Sequence, residues 1–295
     1  MAEKPVIDRT KVTFSQAEGL SPLPTPLALG ELSKEARSLL WLMVHEGLEA
    51  DSDYPTMGGY RYIKGRWKDV LFAIHVAVKF EPADEFSTRF PRHVETLKSL
   101  IYKGDLHEVF DFITFVMRSR VAPPKFTAHM KWALKQSRAA YSIIDDGPTI
   151  IPTATPEEGQ AINDAFALTE QGGFNGARSH LRNAADALNN GDFAGSVRES
   201  IHAVESIACS LNADASVTLG PALTALEKHI TIHPALKRGF SSIYGYTSDQ
   251  DGIRHALLEG EAEVDAVDAT FMFGACASFV TYLINKGRLS GIATE

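Results

Sequence analysis

Apolar residues recur at helical spacing along most of this chain, and short polar joints separate the segments they mark. In the first half the pattern predicts helices over about 33–49, 67–80, 93–102, 106–117 and 126–140. Ser33 stands where an N-cap belongs, and Leu39, Leu40, Leu42, Met43 and Leu48 mark the apolar positions of the first helix. Proline- and glycine-rich joints lie at 21–26, 54–59 and 122–124. In the second half the pattern is cleaner, with helices expected at about 156–171, 174–190, 192–212, 218–229, 233–243 and 264–287. Loops of a few residues separate most of them, which favours antiparallel neighbours in a bundle.

The period changes from helical to extended at one place only. Tyr141-Ser142-Ile143-Ile144 and Thr149-Ile150-Ile151-Pro152 are short and rich in β-branched residues, and Asp145-Asp146-Gly147-Pro148 joins them. That reads as a small hairpin. Thr155-Pro156-Glu157-Glu158 then has the marks of a helix start: a capping hydroxyl, proline at the first helical position and acids in the first turn. The expected fold is therefore all-α, with two helical domains at 1–150 and 151–295 and a short β-hairpin at their junction.

Composition narrows the function. The first half holds 20 Lys+Arg against 19 Asp+Glu, and the second 9 against 18, which together give the net charge of −8. An acidic second half is no general polyanion surface, so any nucleic-acid contact there must be local. Cys209 and Cys276 have no CxxC or Cys/His companion and read as buried reduced thiols. No secretory signal is visible, and the longest apolar run, residues 270–284, falls short of the ~20 residues that span a bilayer. A cytoplasmic protein that does not enter membranes is expected. No phosphate-binding or dinucleotide glycine motif, HExxH, zinc spacing or GxSxG elbow occurs, so no metal or cofactor is expected.

Three groups of residues can carry chemistry. Tyr244 to His255 crowds Tyr246, Ser248, Asp249, Asp251, Arg254 and His255 into one stretch. Arginine can clamp a phosphate and histidine can move a proton near neutral pH. If helical, Arg254 and His255 diverge by roughly 100°, so only one of them faces a given atom. The alternative is an elaborate helix cap. Arg198 and His202, four residues apart, share a helix face, with Glu199 beside them and Glu205 one turn on. They form either a cleft-facing acid/base and anion-binding pair or a solvated face of ion pairs. Finally, residues 112–144 contain no acid but hold Arg118, Arg120, Lys131, Lys135 and Arg138, with Trp132 among them. Lys131, Lys135 and Arg138 would make one basic stripe suited to single-stranded RNA, or an ordinary solvated face.

The second half resembles the HEPN domain that ends AbiJ-type abortive-infection proteins. The resemblance rests on Arg198-Glu199-Ser200-Ile201-His202-Ala203-Val204-Glu205-Ser206, Thr218-Leu219-Gly220-Pro221-Ala222-Leu223, His233-Pro234-Ala235-Leu236 and the run from Tyr244 to Ala256. The first half is similar, more weakly, to the N-terminal domain of such proteins at Phe14-Ser15, Asp111-Phe112-Ile113 and Thr149-Ile150-Ile151-Pro152. The resemblance implies a phage-defence protein with a HEPN helical bundle, often a homodimer, that acts on RNA. Many HEPN domains are metal-independent ribonucleases built on an arginine and a histidine with four to six residues between them. Here Arg254 and His255 are adjacent and Arg198 and His202 are separated by three residues, so both departures leave a non-catalytic RNA-, nucleotide- or protein-binding dimerisation module as the alternative. On the enzyme reading Arg254, His255, Asp249, Arg198 and His202 are catalytic, supported by Tyr246, Ser248, Asp251, Glu199 and Glu205.

Overall fold

The computed structural model describes residues 14–21, 30–55, 59–212, 219–245 and 264–292. Over these the chain is all-α with two small antiparallel hairpins, as the apolar pattern predicts. The order is α1 (Phe14–Ala17), α2 (Lys34–Ala50), β1 (Ser52–Asp53), β2 (Tyr62–Ile63), α3 (Gly65–Ala73), α4 (Phe90–Lys103), α5 (Leu106–Arg118) and α6 (Phe126–Gln136). A hairpin of β3 (Tyr141–Ile144) and β4 (Thr149–Pro152) follows, then α7 (Pro156–Gln171), α8 (Asn175–Asn189), α9 (Phe193–Ser210), α10 (Leu219–Leu226), α11 (Pro234–Gly245) and α12 (Ala266–Leu289).

Local chemistry sets the helix ends. The Ser33 hydroxyl accepts from Ala36 N at 3.0 Å, and Thr155 does the same for Glu158 N at 3.1 Å. Asp105 and Glu108 close a reciprocal capping box at the start of α5. The core face of α2 is Ala36, Leu40, Val44 and Leu48, at strict four-residue spacing, while Leu42 is exposed. Two segments depart from the expected helices. The one expected at 67–80 becomes π-helical over Ile74–Val78 before ending. The one expected at 126–140 stops at Gln136, where Arg138 takes a left-handed φ of 54°. Arg138 N donates to Lys135 O and Ala139 N to Leu134 O, a Schellman closure that frees the chain to enter β3.

The described residues form two hydrophobic cores. One gathers side chains of α2 to α6 around Trp67, Leu40, Ile101 and Met130. The other is built from α7 to α10 and α12 around Phe166, Leu181, Val204 and Phe273. The hairpin belongs to both. Ile143 pairs with Ile150, and these two lie in the first core, whereas Ile144 and Ile151 lie in the second. Alternation along a strand is what lets four residues serve two cores. Asparagines close both open edges: Asn163 donates to Ile143 O at 3.1 Å and accepts from Asp145 N at 3.0 Å, and Asn189 donates to Ile150 O at 2.8 Å.

The turn fastens the hairpin further. Asp145 pairs with Lys131 of α6 at 2.6 Å. Asp146, its carboxylate nearly buried, takes two hydrogen bonds from Arg178 (3.1 and 2.9 Å) and one from Arg182 (2.5 Å), both on α8. Helix α12 is long and apolar enough by composition to cross a bilayer, with mean hydropathy 1.5, and in this fold it is the centre of the second core, packed on α7, α8 and α9. Cys276 is buried within it, and burial pushes its thiol up to about 12. Neither cysteine is in a disulfide, and Cys209 is half-buried rather than buried as expected.

Two consequences can be measured by chemical denaturation. A Cβ at Gly159 on α7 would lie 2.6 Å from the Ser142 Cβ of β3, which the strand holds in place. Gly159→Ala should therefore destabilise the protein by about 1–3 kcal/mol, as other overpacked contacts do; an unchanged midpoint would refute this close approach. Asp146→Ala removes three hydrogen bonds to guanidinium groups, although Arg178 keeps Glu170 at 3.0 Å and Arg182 is half exposed, and should cost about 1–2 kcal/mol; a midpoint equal to wild type would refute the clamp.

Candidate functional site

Helix α9 buries Val197, Ser200, Ile201, Ala203 and Val204 against the second core, which leaves Arg198, Glu199, His202 and Glu205 half-buried on another face. Asp192 caps the helix by accepting from Gly195 N at 2.8 Å, after Gly191 has turned the chain with a φ of 76°. Helix α8 packs alongside and brings His180 and Asn183 to the same place.

The Glu199 carboxylate is the hub. His180 Nδ1 lies 2.8 Å from Oε2, Asn183 Nδ2 donates to Oε2 at 3.2 Å, and His202 Nδ1 stands 3.8 Å from Oε1. The first two are hydrogen bonds; the third is an ion-pair distance only. The two imidazoles face each other with ring centres 5.3 Å apart and planes at 65°. Burial pushes the Glu199 carboxyl up, but the hydrogen bonds from His180 and Asn183 and the charge of the two imidazoles outweigh it and hold the group below its ordinary value. No side chain among the described residues pairs with the Arg198 guanidinium, which stands one turn before His202. Glu205 is used structurally: its Oε1 accepts from Leu219 N at 3.2 Å, which ties α9 to the start of α10.

Of the residues singled out from the sequence, Glu199 and His202 are thus brought together, with Arg198 one turn before His202 on the same helix. Tyr246, Ser248, Asp249, Asp251, Arg254 and His255 lie outside the described residues. The basic segment is less continuous than its spacing suggests. Arg118 is drawn to the hairpin, donating to Pro148 O at 3.1 Å and Thr149 Oγ1 at 2.7 Å. Lys131 pairs with Asp145. Arg138 leaves the stripe altogether because α6 ends two residues before it. Arg120, Trp132 and Lys135 remain exposed.

Two features have no counterpart in the sequence reading. His180 is one: its partners are 19 and 22 residues away on another helix, and only the α8–α9 packing joins them. The other is a cavity of about 540 Å³ beside the π-helical segment, lined by Phe86, Arg92, His93, Asp111 and Phe112 among others. His75, at its wall, is 2.6 Å from the Glu81 carboxylate and 2.7 Å from Pro82 O.

The family model of AbiJ N-terminal domain 4 matches residues 13–168, more than half of the chain. The chain belongs to this family. The AbiJ match takes in the first core, the β3–β4 hairpin and most of α7, so the family's unit runs through the junction hairpin into the first helix of the second core. No curated protein and no solved structure matches the chain.

The depressed Glu199 titration fixes a sign for pH dependence. The folded chain holds this proton more weakly than the unfolded chain, so the stabilisation is fully present above about pH 4.5 and is lost as pH falls through the lower folded value. The stability difference between wild type and Glu199→Gln should therefore shrink as pH falls from about 4.5 through the lower folded value. A difference independent of pH over that range would show that the carboxylate is not held by its neighbours.

Proposed function

We propose that this AbiJ-family chain is an abortive-infection protein whose second half is a HEPN-type bundle acting on RNA. The observation that carries the reading is the half-buried pairing of Glu199 with His202 on α9, with Arg198 one turn before His202 and without a partner among the described residues. In RNA cleavage without a metal, the 2′-hydroxyl attacks the adjacent phosphorus, a base takes its proton, and the 5′-oxygen leaves with a proton from an acid. Histidine serves either proton transfer because its charge changes near neutral pH. Arg198 would stabilise the charge on the phosphorane bidentately, and Glu199 would steady His202.

One imidazole cannot fill both roles in one step. The second proton-transfer group would be His255 with Arg254, from the same chain or from a second copy in a homodimer. The division of labour follows the charge: residues 1–150 would supply sensing or RNA affinity, through Arg120, Trp132 and Lys135, and residues 151–295 the reaction. Lys131 and Arg118, already engaged with the hairpin, would contribute less.

The deciding assay is cleavage of total RNA by the purified protein in EDTA. Wild type should cleave, and Arg198→Ala, His202→Ala, Arg254→Ala and His255→Ala should each lose roughly 100-fold or more, the usual scale of a lost acid/base group. Equal activity in wild type and all four variants would sink the reading. RNA binding without cleavage in any of them would establish the interaction module in its place.

A further inference from the structure

The same face has a second chemical capacity. Glu199-Ser200-Ile201-His202 is a Glu-x-x-His pair on one helix, the spacing with which helical bundles present a carboxylate and an imidazole to a metal. His180 adds a second imidazole from α8. One donor atom from each of the three residues lies within 4.8 Å of the other two. We infer that His180, Glu199 and His202 form a binding site for a divalent transition-metal ion, with zinc the best fit.

Three features support it beyond proximity. The Glu199 carboxylate meets both imidazoles, His180 Nδ1 at 2.8 Å from Oε2 and His202 Nδ1 at 3.8 Å from Oε1, and side-chain rotation would gather one donor from each at the roughly 3.3 Å spacing of a tetrahedral zinc. Asn183 donates to the carboxylate, the outer hydrogen bond that orients a ligating group. The three side chains are 35, 25 and 29 % exposed, so an ion can enter and keep open positions for water or an anionic ligand. Two imidazoles and one carboxylate favour zinc over magnesium or calcium, which prefer oxygen alone. Arg198, beside the site, opposes a bare cation but suits an anion carried on one. His180 now directs Nδ1 at Glu199, so metal binding requires that nitrogen to give up its proton, either to Nε2 or to solvent.

The site implies a form of control. A metal on His202 occupies the lone pair that would accept the 2′-hydroxyl proton, so zinc should inhibit RNA cleavage. That inhibition, unlike the binding itself, rests on the ribonuclease reading.

The test uses the full chain, stripped of metal and transferred to chelator-free buffer, with Zn²⁺ titrated against a chromophoric chelator. One zinc per chain is expected. His180→Ala, His202→Ala and Glu199→Gln should each weaken binding by more than about tenfold, and Asn183→Ala by about tenfold. His229→Ala, at an exposed histidine just after α10, should leave it unchanged. Conservative His180→Gln and His202→Gln variants, with thermal unfolding curves like wild type, separate ligand loss from misfolding. Co²⁺ should give visible d–d bands in wild type that vanish in the same variants. Absence of binding, or binding indifferent to His180 and His202, overturns the inference. If zinc binds as expected while RNA is not cleaved in EDTA, only the ribonuclease reading falls. If RNA is cleaved and zinc does not bind, only the metal site falls.

Discussion

The β3–β4 hairpin has to satisfy two hydrophobic cores at once, and much else in the fold follows from that constraint. Its alternation sends Ile143 and Ile150 one way and Ile144 and Ile151 the other. Two strands of four residues have open edges and little stability alone. The surroundings remedy both: Asn163 and Asn189 occupy the edge carbonyls, and the turn acids anchor to α6 on one side and α8 on the other. A one-residue slip would exchange the isoleucines between the cores and move both turn acids from their partners. Packing and charge therefore fix the same register.

That register reaches the candidate site through α8. Asp146 holds Arg178 and Arg182, and His180 lies between them on the same helix. Because His180 touches Glu199 of α9, the junction and the site share one rigid element. The AbiJ-family region thus contains a hairpin whose turn is clamped to the helix bearing His180. It gives the first half a physical route to influence the second, with no long loop between them.

Much of this architecture is legible in the residues. Helical periodicity and the caps at Ser33 and Thr155 locate most helices closely, and the Ile-rich pair around Asp-Asp-Gly-Pro marks the hairpin. The shortfalls have local causes. The apolar pattern of 126–140 continues past the helix because Ala139 and Ala140 are buried in β3's approach, while the Schellman turn at Arg138 is a backbone event that periodicity does not register. The two-residue strands β1 and β2 are too short to carry a period. In the site, i,i+4 spacing identifies Arg198 and His202 because they share a helix. Nothing along the chain announces His180, whose role arises only from helix packing. The basic stripe misleads for the same reason: Lys131 and Arg118 find acceptors on the hairpin, a tertiary event.

On the proposed reading the functional face lies on α8 and α9, where Glu199 meets two imidazoles, and RNA is what that face would bind. The most direct measurement is the NMR response of the His180 and His202 imidazole resonances to a single-stranded RNA oligonucleotide, with His107 on the first core's surface as a reference. The account predicts that both signals shift together in a saturable way while His107 stays unmoved. Saturable RNA binding that leaves His180 and His202 unshifted would contradict it.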